Sequence, residues 1–267
     1  MSFVAGTKLR SVEADCRRYT RQLNDMKSEQ GLTNIRSLLQ CSLNFLTNTD
    51  EPWVLSGEVI PDRQAWTDAM TLESQKVLVE YLENYLSAVF CRFEEACERI
   101  FASEGRFKKA ASGLFLNYHE TFARGLCLFG MARKSKSSKY KRAAKKVLST
   151  INTWVKNGNP NVIHYEKLFE AELAALNGKY DNADALYHKA LGLSSRSGFL
   201  ADSAIINERH ADYLWHVRDM PDDALFKMEE AAKLYTEWGA MGKASMLRED
   251  YAALQDKPSK VFVPEQN

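Results

Sequence analysis

The stretch NGKYDNADALYHKALGLSSRSGF, residues 177–199, places an aromatic at Tyr180, small residues at Ala183 and Ala190, and a glycine at Gly198. The same marks return 41 residues later at Pro221, Ala224, Ala231 and Gly239. Upstream, Tyr140, Ala143, Val147 and Gly158 match Tyr180, Ala183, Tyr187 and Gly198 at a displacement of 40. A repeat of this length predicts stacked helix pairs, because one pair cannot bury its apolar face alone and each completes its neighbour's core. Alanine at a helix crossing lets two axes approach to about 8 Å, while a neighbouring aromatic fills the space beside it. Gly198 and Gly239 follow the second helix of their pairs, where a left-handed backbone is entered without strain only by glycine. The expected fold class is all-α, a solenoid of antiparallel helix pairs.

Working outward, Leu9, Val12, Cys16, Tyr19, Leu23 and Met26 fall on one stripe of an opening helix, and Ile35, Leu38, Leu39, Leu43, Phe45 and Leu46 form its partner. Residues 47–65, with Pro52, Gly57 and Pro61, predict the longest irregular connection. Val77, Leu78, Tyr81, Leu82, Tyr85, Leu86 and Val89 describe a long helix, followed by Phe93, Ala96, Cys97, Ile100 and Phe101 on its partner. A helix around Leu114, Phe115, Tyr118, Phe122, Leu126 and Phe129 precedes one from Tyr140 to Trp154, stopped by Gly158 and Pro160. Pairs over 161–197 and 200–237 follow, and a helix from Met241 to Leu254 is expected to cap the open end of the stack. Residues 1–256 thus predict one array, and KPSKVFVPEQN, 257–267, a poorly ordered tail.

Composition narrows the function classes. Lys and Arg number 36 against 35 Asp and Glu, a formal charge of +1, so no global field draws the protein to nucleic acid or anionic membrane. Cys16, Cys41, Cys91, Cys97 and Cys127 are odd in number and scattered, which suits reduced, buried thiols rather than a disulfide framework or a metal site. No signal-peptide core and no apolar run of the roughly 18 residues that span a bilayer occur, so a cytoplasmic protein is expected.

The 177–199 segment resembles the second half of a tetratricopeptide repeat, with Gly178, Tyr180, Ala183, Tyr187 and Ala190 at the positions that family uses. The preceding helix, LFEAELAAL, fits the first half less closely, and the period exceeds the usual length of about 34 residues. A second resemblance covers nearly the whole chain. SLLQCSLNFL, Leu55-Ser56-Gly57-Glu58, FEAELAALNGKYDNADALYHKAL and LYTEWGAMGKASML look like the helical region that follows the ATPase module in multi-sensor serine/threonine kinase and histidine kinase hybrid proteins. That module is an AAA-type ATPase of the signal-transduction class. Tyr235, Trp238, Gly239, Ala240 and Lys243 form the most specific cluster. The resemblance implies a tetratricopeptide-like solenoid serving as an interaction or regulatory arm, which binds a protein segment or packs on an ATPase or kinase module. It also implies an alternative, a superhelix that senses a small effector. No GxxxxGK[ST] loop, HRD or DFG is present, so the nucleotide chemistry of such architectures does not reside in these residues.

Catalytic, cofactor and metal residues are not expected. In ERHADYLWH, His210 and His216 are six residues apart, about 120° from alignment on a helix, unlike the i, i+4 pair that grips a metal. His119 and Glu120 lack a nameable nucleophile or orienting group. Candidate groove residues, taken from the first helix of successive pairs, are Tyr118, Arg124, Lys167 and Arg209. The sharpest electrostatic feature is RKSKSSKYKRAAKK, residues 133–146, with eight basic residues and no acid. Arg133, Lys134, Lys136, Lys139, Lys141, Arg142, Lys145 and Lys146 form either a solvated face or a docking patch for an acidic partner. With only Tyr140 inside the run to stack on a base, nucleic acid is the less expected partner and protein the expected one. Trp154, Trp215 and Trp238 are expected to be wedges between pairs rather than a ligand cage.

Overall fold

The computed structural model describes residues 3–4, 6–103, 105–110 and 116–255. Among them all regular structure is helical: α1 (Leu9–Asp25), α2 (Glu29–Leu46), α3 (Arg63–Asp68), α4 (Glu73–Val89), α5 (Phe93–Ala102), α6 (Arg106–Ala110) and α7 (Leu116–Ser135). The chain continues through α8 (Ser138–Lys156), α9 (Ile163–Leu176), α10 (Tyr180–Arg196), α11 (Leu200–His216), α12 (Pro221–Trp238) and α13 (Met241–Gln255). The expected tail at 257–267, and the apolar positions Leu114 and Phe115, lie outside the described residues.

The helices pack pairwise, α1 with α2, α4 with α5, α7 with α8, α9 with α10 and α11 with α12. The second helix of a pair also meets the first of the next, as α5 meets α7, α8 meets α9 and α10 meets α11. The repeated small residues sit at these crossings: Ala183, Ala190, Ala224 and Ala231 are fully buried. Gly198 and Gly239 carry φ of 73° and 99°, and the Gly239 amide closes the end of α12 on the Tyr235 and Thr236 carbonyls.

Two layers result. The outer helices α1 and α8 have an apolar stripe and a polar face, whereas α7, α9 and α11 are buried on most sides and carry polar residues inside. An aromatic and polar seam crosses the inner layer. Tyr81 hydrogen-bonds His119 at 2.7 Å, Tyr165 stacks on Phe122 at 3.9 Å, and His164 Nε2 lies 2.8 Å from Asp202.

The helix expected to cap the last pair is present as α13. α13 packs on α2 as well as on α12, and the N-terminal residues fill the junction. Phe3 packs against the rings of Phe45, Tyr85 and Trp238, and the Trp238 indole N–H donates to the Thr7 carbonyl at 3.1 Å. Trp238 is thus a buried wedge, as its spacing predicts, but its wedge joins the last pair to the first. Trp154 packs edge-on to Tyr118, and Trp215 edge-on to Tyr251.

The irregular connection ends sooner than 65, because Asp62 caps α3 by accepting from the Ala65 amide at 2.9 Å. It is also pinned rather than loose. Gln40 of α2 accepts from the amides of Val59 and Ile60, and Leu55 and Ile60 are fully buried.

Candidate functional site

The basic run divides once the chain folds. Arg133, at the end of α7, turns inward and is nine-tenths buried, bonding Glu172 of α9, Asp212 of α11 and the Tyr187 hydroxyl. Arg209 of α11 shares Glu172, donating from Nε at 2.8 Å, and its guanidinium lies 5.3 Å from the Phe93 ring centroid. Burial alone would push the Glu172 carboxyl up, but the two guanidiniums outweigh it and hold it at about 2. A second buried group joins Glu208 to Lys243 at 2.6 Å and to the Tyr235 hydroxyl at 2.7 Å.

Of the other run residues, Lys134 pairs with Glu94, and Lys141 donates to the Leu176 carbonyl at the end of α9. Lys136 adopts φ of 53° in the link between α7 and α8, and Lys145 is exposed. Lys139, Arg142 and Lys146 recur at steps of three and four, which places them on one face of α8.

That face forms one wall of a groove of about 590 Å³. The opposite wall comes from α5 and α6 through Ile100, Phe101, Gly105 and Lys108. Its floor is α7, with Thr121, Arg124 and Leu128, and Ala143 and Val147 line the base of the α8 wall. α5 has 10 residues and α8 has 19, and among the described residues the groove lies between the two. Phe101 and Tyr140 close one end with rings 5.8 Å apart, and the Lys139 ammonium sits 4.2 Å from the Phe101 centroid.

Five cations therefore line one groove, and none of its described lining residues is acidic. Glu120 pairs with Arg124 at 3.1 Å from below. Burial pushes the Glu120 carboxyl up, and Arg124 offsets this only in part. Among the described residues, Lys108, Lys139, Arg142 and Lys146 have no carboxylate within ion-pair distance. Such a surface attracts anions, and its apolar base rewards a ligand that also has a greasy side.

The four groove candidates fall in different settings. Arg124 lines the cationic groove, Tyr118 packs on Trp154, and Lys167 pairs with Glu166 and Glu170. Arg209 is buried in the Glu172 network. Lys108, Ile100 and Phe101 are lining residues that sequence reasoning missed; the pair Lys108-Lys109 was the available signal.

Other candidate chemistry has structural partners. His119 and His210 are buried, and burial lowers them to about 4 and about 3. Among the described residues no group of three His, Cys, Asp or Glu side chains is placed to hold a metal ion. Cys16, Cys41, Cys97 and Cys127 are buried free thiols; Cys91, in a left-handed turn with φ of 58° after α4, has an exposed backbone while its thiol donates to Glu208 at 3.5 Å. No described helix is long and apolar enough to cross a membrane. A second cavity, of about 660 Å³, opens between α1, α2 and α4, and its described lining, including Leu23, Ile35, Leu38, Leu78 and Leu82, holds no charged side chain. No protein-family model, curated protein or solved structure matches the chain.

Proposed function

We propose that this protein is a non-catalytic, tetratricopeptide-like helical module that binds an anionic segment of a protein partner in the groove between α5, α6 and α8. One observation carries this: four cations, Lys108, Lys139, Arg142 and Lys146, stand around an apolar base without a described carboxylate in ion-pair distance, while the fifth, Arg124, is held by Glu120. In this view the buried networks are structural. Their charges are matched by other elements of the fold, whereas the groove cations are matched by a ligand. The resemblance to the helical arm of signal-transduction ATPase proteins suggests a regulatory partner, with an ATPase or kinase module as the natural class.

The test is binding of fluorescently labelled polyglutamate and polylysine to the full chain. Polyglutamate is expected to bind saturably, to weaken as salt rises, and to be lost when Lys139, Arg142 and Lys146 become Gln. Polylysine binding as well would overturn the proposal. A second function, sensing a small effector, is favoured by the uncharged cavity between α1, α2 and α4. If neither polymer binds while a neutral apolar molecule raises thermal stability, sensing replaces segment binding.

A further inference from the structure

Resting on that function, we infer that the groove receives its partner as a short amphipathic α-helix, with carboxylates one turn apart on one side and aliphatic or aromatic residues beneath. Three features of the groove lead there.

The first is what the fold leaves out. α8, α10 and α12 have 19, 17 and 18 residues, but α5 has 10 and is followed only by the five-residue α6. At 1.5 Å per residue, α5 covers about 15 Å beside a helix of about 28 Å. Among the described residues, the difference of about 13 Å, about nine residues of helix, is α8 wall that α5 does not match in length.

The second is backbone accounting. An extended segment on an apolar base needs partners for its N–H and C=O groups, and among the described residues there is no strand edge to supply them. The neutral side chains offer little. Thr150 donates its hydroxyl to the Lys146 carbonyl, and Thr121 donates to Glu120, leaving Asn117 and the Trp154 indole N–H. A helix satisfies its own backbone and needs only side-chain contacts.

The third is spacing. Arg142 and Lys146 are i, i+4 on α8, and Lys139 lies one turn before them. Carboxylates at i, i+3 or i+4, and i+7 of a partner helix present the same one-turn interval, so a single orientation pairs the row. On the far wall Lys108 faces the occupant's other flank beside Ile100 and Phe101, while Leu128, Ala143 and Val147 line the base between. A disordered polyanion would use the charges and leave that base uncovered.

The experiment compares three labelled peptides of about 16 residues, long enough to match the Lys139 to Lys146 row and keep about a turn of helix beyond each end. One has glutamates on one face and Leu and Phe on the other. A second has the same composition scrambled so that the faces mix, and the third carries two central prolines. A single-stranded RNA is measured alongside. Anisotropy gives affinity, and circular dichroism gives the helix gained on mixing.

The patterned peptide is expected to bind at least about tenfold tighter than the scrambled and proline peptides, and to gain helicity. Arg142→Glu with Lys146→Glu should remove that preference, and Arg142→Gln with Lys146→Gln should reduce it. Lys156→Glu, on the same helix but outside the groove, should leave it unchanged. Equal binding of all three peptides without helix gain overturns the helical inference and leaves the anionic-segment function standing. Failure of polyglutamate and every peptide overturns both. RNA binding as tight as the patterned peptide reassigns the groove to nucleic acid.

Discussion

The end of α7 and the outer face of α8 draw their cations from the same basic run and handle them oppositely. Arg133 is carried into the inner layer, where Glu172, Asp212 and Tyr187 arrive from three other helices to meet it. Lys139, Arg142 and Lys146 are held at the rim of a groove with no described carboxylate beside them. A buried charge left alone costs several kcal/mol, so the fold must supply its partner; an exposed charge costs little, so the fold can leave it to a ligand. Matched charge thus marks structure, and unmatched charge beside apolar surface marks recognition.

Substitutions on either side put this contrast to the test. The largest effect is expected for Glu172→Ala, which takes from Arg209 its carboxylate and leaves Arg133 only Asp212, and should cost about 3–5 kcal/mol in urea unfolding. If it unfolds like the wild type, the inner network is not structural.

Acidification attacks the same layer. His119 and His210 have folded values of about 4 and about 3 against an ordinary 6.5, so below pH 6.5 the unfolded chain binds more protons than the native one. Their stability contribution is full above that pH and declines as pH falls toward the folded values, with a slope approaching about 1.4 kcal/mol per pH unit for each. Glu172 adds a further loss below its ordinary 4.5 as pH falls toward about 2. Urea titrations across this range, repeated with His119→Gln, should show one proton less in the slope.

Inner-layer packing is the next probe. A Cβ at Gly125 would stand 2.3 Å from the Phe169 ring, so Gly125→Ala should cost about 1–3 kcal/mol in thermal or urea unfolding. Gly198→Val meets nothing within 4 Å and should cost only about 1–2 kcal/mol, all of it from the left-handed backbone. The smallest effect on stability belongs to Lys139→Gln, Arg142→Gln and Lys146→Gln, each within about 0.5 kcal/mol of the wild type by urea unfolding, although binding is lost.

The same contrast explains what the sequence revealed. Ala183, Ala190, Ala224, Ala231, Gly198 and Gly239 gave away the paired helices, because close crossings and left-handed turns restrict residue type locally. The stripe Leu9, Val12, Cys16 made α1 legible for a similar reason, since one buried face leaves a periodic pattern. α11 is harder to read. Its Glu208, Arg209 and His210 look like a solvated face and are buried, because their partners lie on α9, α12, α13 and, for Arg133, α7. Nothing near Arg133 in sequence announces Glu172, 39 residues on, or Asp212, 79 residues on. The α8 half of the groove was visible as a charge run, but its apolar base and Lys108 come from segments that only the short α5 brings into view.

The bond from Trp238 to the Thr7 carbonyl spans 231 residues. In a linear array each unit rests on its sequence neighbour, so a nascent chain consolidates as it emerges and a frayed end leaves the middle standing. Joining the last pair to the first removes both properties. Phe3 and Phe45 have their ring contacts completed only when Trp238 of α12 arrives, so the first and last pairs consolidate together. Once joined, the ends stabilise each other, and a substitution at Trp238 is felt in α2 and α4.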